Sequence, residues 1–207
     1  MNDFAGRSLT VDEAVYRSES QTSLHNRAIA LLLKSYGRFY ADPDEALDLY
    51  TRQYSIALTA RDLAAMGATL AAGGVNPITG RRVIDSRHVA KVLTMMITNG
   101  LYENSGQWLY RTGLPAKSRV GGGILAMVAG KYAVATFSPP LDGAGNSVRG
   151  QKAVQFIAEA LRANRMGCLF DLFKPFEVDL LVIDDPYRFR YRMHFFSAIT
   201  VLCRHPG

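Results

Sequence analysis

Residues Gly100 to Gly150 read GLYENSGQWLYRTGLPAKSRVGGGILAMVAGKYAVATFSPPLDGAGNSVRG, and the change of pattern inside this stretch decides the fold class. Gly123–Val128 and Tyr132–Phe137 are almost entirely aliphatic or aromatic, and Ala129-Gly130 supplies the turn between them, so the pair reads as an antiparallel hairpin. Gln107–Thr112, rich in aromatic and aliphatic side chains, is expected to add a third strand. Gly145-Asn146-Ser147 closes the unit and offers an N-cap to an amphipathic helix with Val148, Val154, Ile157, Ala158 and Leu161 on its inner face.

Upstream of the stretch the pattern is helical. Residues 1–15 read as a polar leading segment. From Ser23 to Tyr36 the residues Leu24, Ala28, Ile29, Leu31, Leu32 and Leu33 are dense enough to predict a helix mostly buried in the core and ended by Gly37. Asp42-Pro43-Asp44 starts a second helix carrying Ala46, Leu47, Leu49 and Tyr50. Thr59 through Asp62 forms a capping box ahead of Leu63, Met66 and Leu70, and Gly73-Gly74 stops that helix. Ser86 is expected to cap a fourth, with Val89, Val92, Leu93, Met96 and Ile97 as its buried stripe. Four helices, then strands, then a helix is an α+β order rather than a βαβ one.

Composition narrows the function classes. The 207 residues suffice for one full core, and 48% hydrophobic with 20% charged content is that of a globular protein. The net charge of +6 comes from scattered Arg and Lys without a nucleic-acid motif, so nucleic-acid binding is not expected. Cys168 and Cys203 form neither a disulfide framework nor a zinc site by spacing, which predicts a reducing, cytoplasmic setting. The opening MNDFAGRSLTVDE lacks the apolar core of a signal peptide, and no apolar run approaches the length of a membrane span. No His or acid stands at metal spacing to His25, and no metal or cofactor is expected; His88, His194 and His205 read as surface residues.

Four pieces of the opening stretch, Gly100-Leu101-Tyr102, Leu114-Pro115-Ala116-Lys117-Ser118, Val120 through Gly123, and Phe137-Ser138-Pro139 onward to Gly145-Asn146-Ser147, occur together and in order. In this the chain resembles the serine-dependent glutaminases from about Val11 to Leu161. The resemblance implies an α+β, β-lactamase/transpeptidase-like fold, an antiparallel sheet with helices, incomplete at the N-terminus. Residues 1–161 would be the C-terminal two-thirds of the domain and 162–207 a divergent tail. It implies hydrolysis of L-glutamine to L-glutamate and ammonia by serine acyl transfer, and a homo-oligomer, dimer or tetramer. The family's Ser-x-x-Lys nucleophile motif is absent, since no serine here has a lysine three positions on.

By the same resemblance Glu19 and Asn26 would grip the amino-acid end of glutamine, Tyr102 and Val120 would contact substrate, and Tyr50 would relay a proton beside the nucleophile. A carboxylate suits an α-ammonium and an amide can serve a carboxylate. Without a neighbouring cation Tyr50 is an ordinary phenol. Arg119 replaces the glycine of the Lys-Ser/Thr-Gly motif and adds bulk and charge beside the expected cleft; Tyr54 replaces a cysteine of many relatives and His25 a usual arginine. Gly121, Gly122 and Gly123 read equally as a close approach of backbone to ligand or as a bend.

Two readings follow. In one the chain is a glutaminase whose residues supply the substrate-binding wall. In the other it is a catalytically dead remnant or pseudoenzyme that binds glutamine or a full-length partner. The family's upstream portion contributes strands, so the sheet is expected to have an unpaired edge, with the tail run Val178–Ile183 as one means of covering it. Tyr187–Arg192 alternates aromatic and basic residues, as a packed tail or as a partner-binding ribbon.

Overall fold

The structure, a computed structural model, describes residues 1–164 and, beyond them, the backbone of the strand segments Val182–Ile183 and Ala198–Cys203. Its elements in chain order are α1 (Asn2–Ala5), α2 (Glu13–Gln21), α3 (Leu24–Ser35), α4 (Pro43–Tyr54), α5 (Ala60–Ala71), α6 (Ser86–Asn99), a 3-10 turn (Tyr102–Asn104), α7 (Ser105–Thr112), β1 (Ala116–Ser118), β2 (Gly123–Val128), β3 (Tyr132–Phe137), α8 (Val148–Ala160), β4 (Val182–Ile183) and β5 (Ala198–Cys203). They form two compact units: Ser8–Leu58, which is helical, and Met1–Arg7 together with the described residues from Thr59 on, which contains the sheet.

The sheet is antiparallel, in the order β1-β2-β3-β5-β4. The expected hairpin is present, with Val128 opposite Tyr132 and Gly123 opposite Phe137. Ile124, Ala126, Val128, Tyr132 and Val134 share a core with Leu101, Trp108, Leu114, Val154 and Ala158, whereas Leu125, Met127, Ala133 and Ala135 share another with Ala64, Ala65, Ala68 and Met96. Alternate residues thus serve opposite faces, and helices cover both, which is why these strands read as continuous apolar runs. Helix α5, ARDLAAMGATLA, is built of small residues that let it lie close to the sheet. A β-carbon at Gly67 would stand 2.5 Å from Leu125 Cδ1 and 2.8 Å from Ala133 Cβ.

Several caps stand as expected. Asp42 caps α4 with Pro43 in the first turn, Thr59 and Asp62 form a reciprocal capping box on α5, and Ser147 Oγ accepts from Gly150 N at the start of α8. Asp62 also accepts Arg7 in a bidentate pair, Nε to Oδ1 and Nη2 to Oδ2, each at 2.6 Å. At α6 the cap is Asp85, not Ser86: its Oδ1 accepts from Arg87 N at 3.0 Å.

Other expectations are corrected. Gln107–Thr112 is not a strand but lies in α7. Trp108 and Thr112 are both buried, four residues apart, and Gly113 in the left-handed region ends the helix, so the apolar spacing is that of one helical face. The leading segment holds α1 and the start of α2, so more than four helices precede the first strand. Asp12 nucleates α2 by accepting from Ala14 N and Val15 N. Helix α3 forms at the expected place but is not mostly buried: of its residues only Ala30 is buried. The outer edge of β3 is not free. It pairs along all six residues with β5, from Tyr132 opposite Cys203 to Phe137 opposite Ala198. Of the run Val178–Ile183 only Val182–Ile183 is described, and it pairs with β5 on the far side from β3. Tyr187–Arg192, His194 and His205 lie outside the described residues.

Candidate functional site

In the sheet unit the local backbone sets the position of Tyr102. Leu101 N donates to Ser105 Oγ at 2.9 Å, and Ser105 Oγ donates to Tyr102 O at 2.8 Å, which closes a tight turn between α6 and α7. Within it Tyr102 takes a positive φ of 53°, rare for a large side chain. The Lys117 ammonium, carried by β1, stands 4.6 Å from the centre of the Tyr102 ring, a cation–π geometry. The same ammonium donates to Gly100 O at 3.4 Å and to Ser118 O. Burial of this end holds the Lys117 pKa below its ordinary value.

Val120 lies half-exposed in the turn between β1 and β2. Arg119 N donates to Gly123 O and Gly122 N to Arg119 O, both at 2.9 Å, so the three glycines form a bend, with Gly122 at φ 91° facing Ser138. Gly145, at φ 90°, brings the pieces together: a β-carbon there would lie 3.4 Å from Val120 Cγ1 and 3.8 Å from Tyr102 Cε2. Tyr102, Val120, Gly145 and Lys117 are therefore one surface.

Asp142 and Asn146, which sequence reasoning did not assign to the site, hold that surface in shape. Asp142 Oδ1 accepts from Ala144 N at 3.0 Å and Asn146 N at 2.9 Å, while Oδ2 accepts from Gln151 Nε2 at 2.9 Å and Asn104 Nδ2 at 3.3 Å. Desolvation pushes the Asp142 pKa up, but these donors outweigh it and hold it below the ordinary value. Fully buried Asn146 donates from Nδ2 to Leu101 O at 3.2 Å, tying the Gly145 loop to the Tyr102 turn. The Asp-x-x-Gly-Asn spacing was the available signal, because an Asp before a glycine turn is the residue type that binds its own loop's N–H groups.

In the helical unit Glu19 is on α2, Asn26 on α3 and Tyr50 on α4. Among the described residues none of their side chains has a hydrogen-bond or ion-pair partner, which leaves each group available to a ligand, and the Tyr50 ring stacks on Tyr54 at 6.0 Å. This unit is tied by a cluster that sequence reasoning missed. Tyr16 Oη donates to Asp48 Oδ1, Arg52 Nε donates to Asp48 Oδ2 at 2.9 Å, and the guanidinium lies 4.5 Å from the Tyr16 ring centre. The hydrogen bond from Tyr16, then that from Arg52, holds the Asp48 carboxyl below its ordinary pKa. The structure thus brings Tyr102 and Val120 together in one unit and carries Glu19, Asn26 and Tyr50 in the other.

A polar groove of about 210 Å³ between α7 and α8, lined among others by Asn104, Trp108, Arg111, Asp142 and Lys152, contains none of the five expected residues. Among the described residues no three metal-ligating side chains cluster, and no helix is long and apolar enough to cross a membrane.

The family model described as Glutaminase matches residues 1–165, extending the sequence resemblance at both ends. A glutaminase of Colwellia psychrerythraea is 60% identical over 161 residues, covering 78% of this chain and 52% of that protein. A solved structure of a probable glutaminase, ybaS, has a TM-score of 0.77 at 53% identity over 79% of this chain and 53% of its own. The Bacillus subtilis glutaminase YbgJ, solved as a covalent complex with 5-oxo-L-norleucine formed by reaction with 6-diazo-5-oxo-L-norleucine, has a TM-score of 0.73 at 30% identity over 78% of this chain and 58% of its own. The chain spans about half the length of the curated relatives it matches.

Proposed function

The chain belongs to the glutaminase family, with the family's β-lactamase-like α+β fold, and from this we propose that it supplies the substrate-gripping wall of a site that hydrolyses L-glutamine to L-glutamate and ammonia. The observation that carries the reading is the surface at Gly145, where Val120 and Tyr102 both lie within van der Waals reach of one point and Lys117 stands over the tyrosine ring. Beside it the Val120 turn offers backbone groups to a planar amide, and Lys117 supplies positive potential without itself needing to titrate. Glu19 is assigned to the α-ammonium, Asn26 to the α-carboxylate, and Tyr50 to the neighbourhood of the nucleophile. The relative trapped with 5-oxo-L-norleucine supports an acyl-transfer course in the family.

No serine of the 207 residues has a lysine three positions on, so the attacking serine of the proposed reaction is assigned to residues other than these. A homo-oligomer and a cytoplasmic setting complete the proposal. The test is titration of the isotope-labelled chain with L-glutamate, read by amide shifts. Shifts are expected at Val120, Gly145 and Tyr102 in the sheet unit and at Asn26 in the helical unit, the latter weakened about tenfold in Glu19→Gln, the loss of one charge-assisted hydrogen bond. Equal shifts with D-glutamate, or none at these residues, would overturn it.

A further inference from the structure

The groove between α7 and α8 lies within the sheet unit and is walled by two helix faces. Both helices begin beside Asp142, where Asn104 Nδ2 and Gln151 Nε2 donate to Oδ2, and both end together, since a β-carbon at Gly113 would stand 2.1 Å from Asn164 Oδ1. They therefore run side by side in one direction, with Asp142 closing one end of the groove and Arg111 placed towards the other. A seam between packed helices is ordinarily filled by apolar side chains. Here Asn104, Gln107 and Arg111 recur at one-turn intervals along α7, and Gln151 and Lys152 line the opposite wall from α8. Arg111 and Lys152 are exposed, and among the described residues neither is in an ion pair. Asp142, the carboxylate at the closed end, already accepts four N–H groups, which occupies its lone pairs. The groove is thus a polar space of about 210 Å³ with a cation on each wall and its own carboxylate satisfied.

We propose that this groove is a ligand site of its own, which takes a small dicarboxylate with one carboxylate on Arg111 and the other on Lys152, and that its occupant weakens binding at the surface formed by Tyr102 and Val120. A guanidinium and side-chain amides present planar N–H groups that match a carboxylate. Cations carried on two facing helices call for two such groups, and a closed end with a volume of about 210 Å³ calls for a compact molecule rather than a chain running through. The coupling runs through Asp142. Its Oδ2 holds Asn104 and Gln151 in the groove wall, and its Oδ1 holds Ala144 N and Asn146 N in the loop of Gly145. An anion bound in the groove repels the Asp142 carboxylate and competes with it for the same two amides, which loosens the loop at the point that Val120 and Tyr102 share. Binding at either place then weakens binding at the other by the same factor. The coupling rests on the proposed function; the groove site does not.

The probe is glutarate, a dicarboxylate without the α-ammonium assigned to Glu19, added to the isotope-labelled whole chain and compared with sodium chloride at equal ionic strength. Saturable amide shifts are expected at Gln107, Arg111 and Lys152, with Gly145 following at the same midpoint. Arg111→Gln and, independently, Lys152→Gln should each weaken glutarate binding about tenfold, the loss of one charge-assisted hydrogen bond. Because both side chains are exposed, the melting temperature should stay that of the parent. Saturating glutarate should raise the apparent Kd for L-glutamate about fivefold in the parent, and far less in Arg111→Gln at the same concentration. Shifts reproduced by sodium chloride, shifts that survive both substitutions, shifts confined to Tyr102 and Val120, or tighter binding of an acetylated, amidated di-glutamate peptide than of glutarate would each overturn the proposal. An L-glutamate affinity indifferent to glutarate would overturn the coupling. A chain that takes glutarate in the groove yet shows no shift with L-glutamate keeps the groove site, loses the coupling and counts against the glutaminase reading.

Discussion

At the scale of single residues the site depends on a buried amide. Asn146 Nδ2 is the hydrogen bond that joins the Gly145 loop to the carbonyl preceding Tyr102. Removing it leaves the Leu101 carbonyl with the Asn104 N–H alone and frees the turn whose positive φ presents the tyrosine. Asn146→Ala is expected to cost about 1–3 kcal/mol in urea unfolding and to shift the NMR signals of Tyr102 and Val120, whereas an unchanged midpoint would show the contact to be idle. Much of this was readable in the sequence by residue type: Tyr102 and Val120 lie in the spaced pieces that carry the resemblance, and Ser147 caps the helix it was expected to cap. Asn146 itself was not readable as a positioning group, because its partner lies 45 residues away and local spacing holds no record of that contact.

At the scale of elements the legible and illegible parts divide by where the deciding contact lies. The capping box of α5 is local and was predicted; its second role, receiving Arg7 from 55 residues away, was not. This pair makes α5 acid-sensitive. The hydrogen bond from Arg7 leads in holding the Asp62 pKa at about 2, against 3.8 ordinarily. A depressed folded-state value means that the folded state resists protonation, so the stabilisation is complete above pH 4 and lost as pH falls towards 2. Asp62 is buried, and the contribution is about 2 kcal/mol. Stability measured from pH 5 to pH 2 should therefore fall less steeply in Asp62→Asn, which also starts lower; parallel curves would remove Asp62 from the acid response. The misreading of α7 shows the converse. Trp108 packs into a core with residues of β2, β3 and α8, with Thr112 buried one turn on, and only that tertiary partner distinguishes helical from strand spacing in eight residues.

At the scale of the molecule the helical unit and the sheet unit differ in how completely their own residues satisfy them. The sheet carries apolar layers on both faces, while α2, α3 and α4 bury little more than small and polar side chains. That contrast was invisible beforehand, because a leucine-rich helix predicts burial without naming the covering surface. The β3 edge belongs to the same scale. Ending the chain at Asn164 removes β5 and leaves six unpaired backbone positions, so the shortened protein is expected to form larger species in light scattering at concentrations where the full chain does not; an identical mass distribution would mean that the edge needs no protection. The pairing also imposes a timetable on biosynthesis. Strand β5 follows β3 by about 60 residues, roughly 3–12 seconds of ribosomal elongation at 5–20 residues per second, so a nascent hairpin waits with its border open until translation delivers the closing strand.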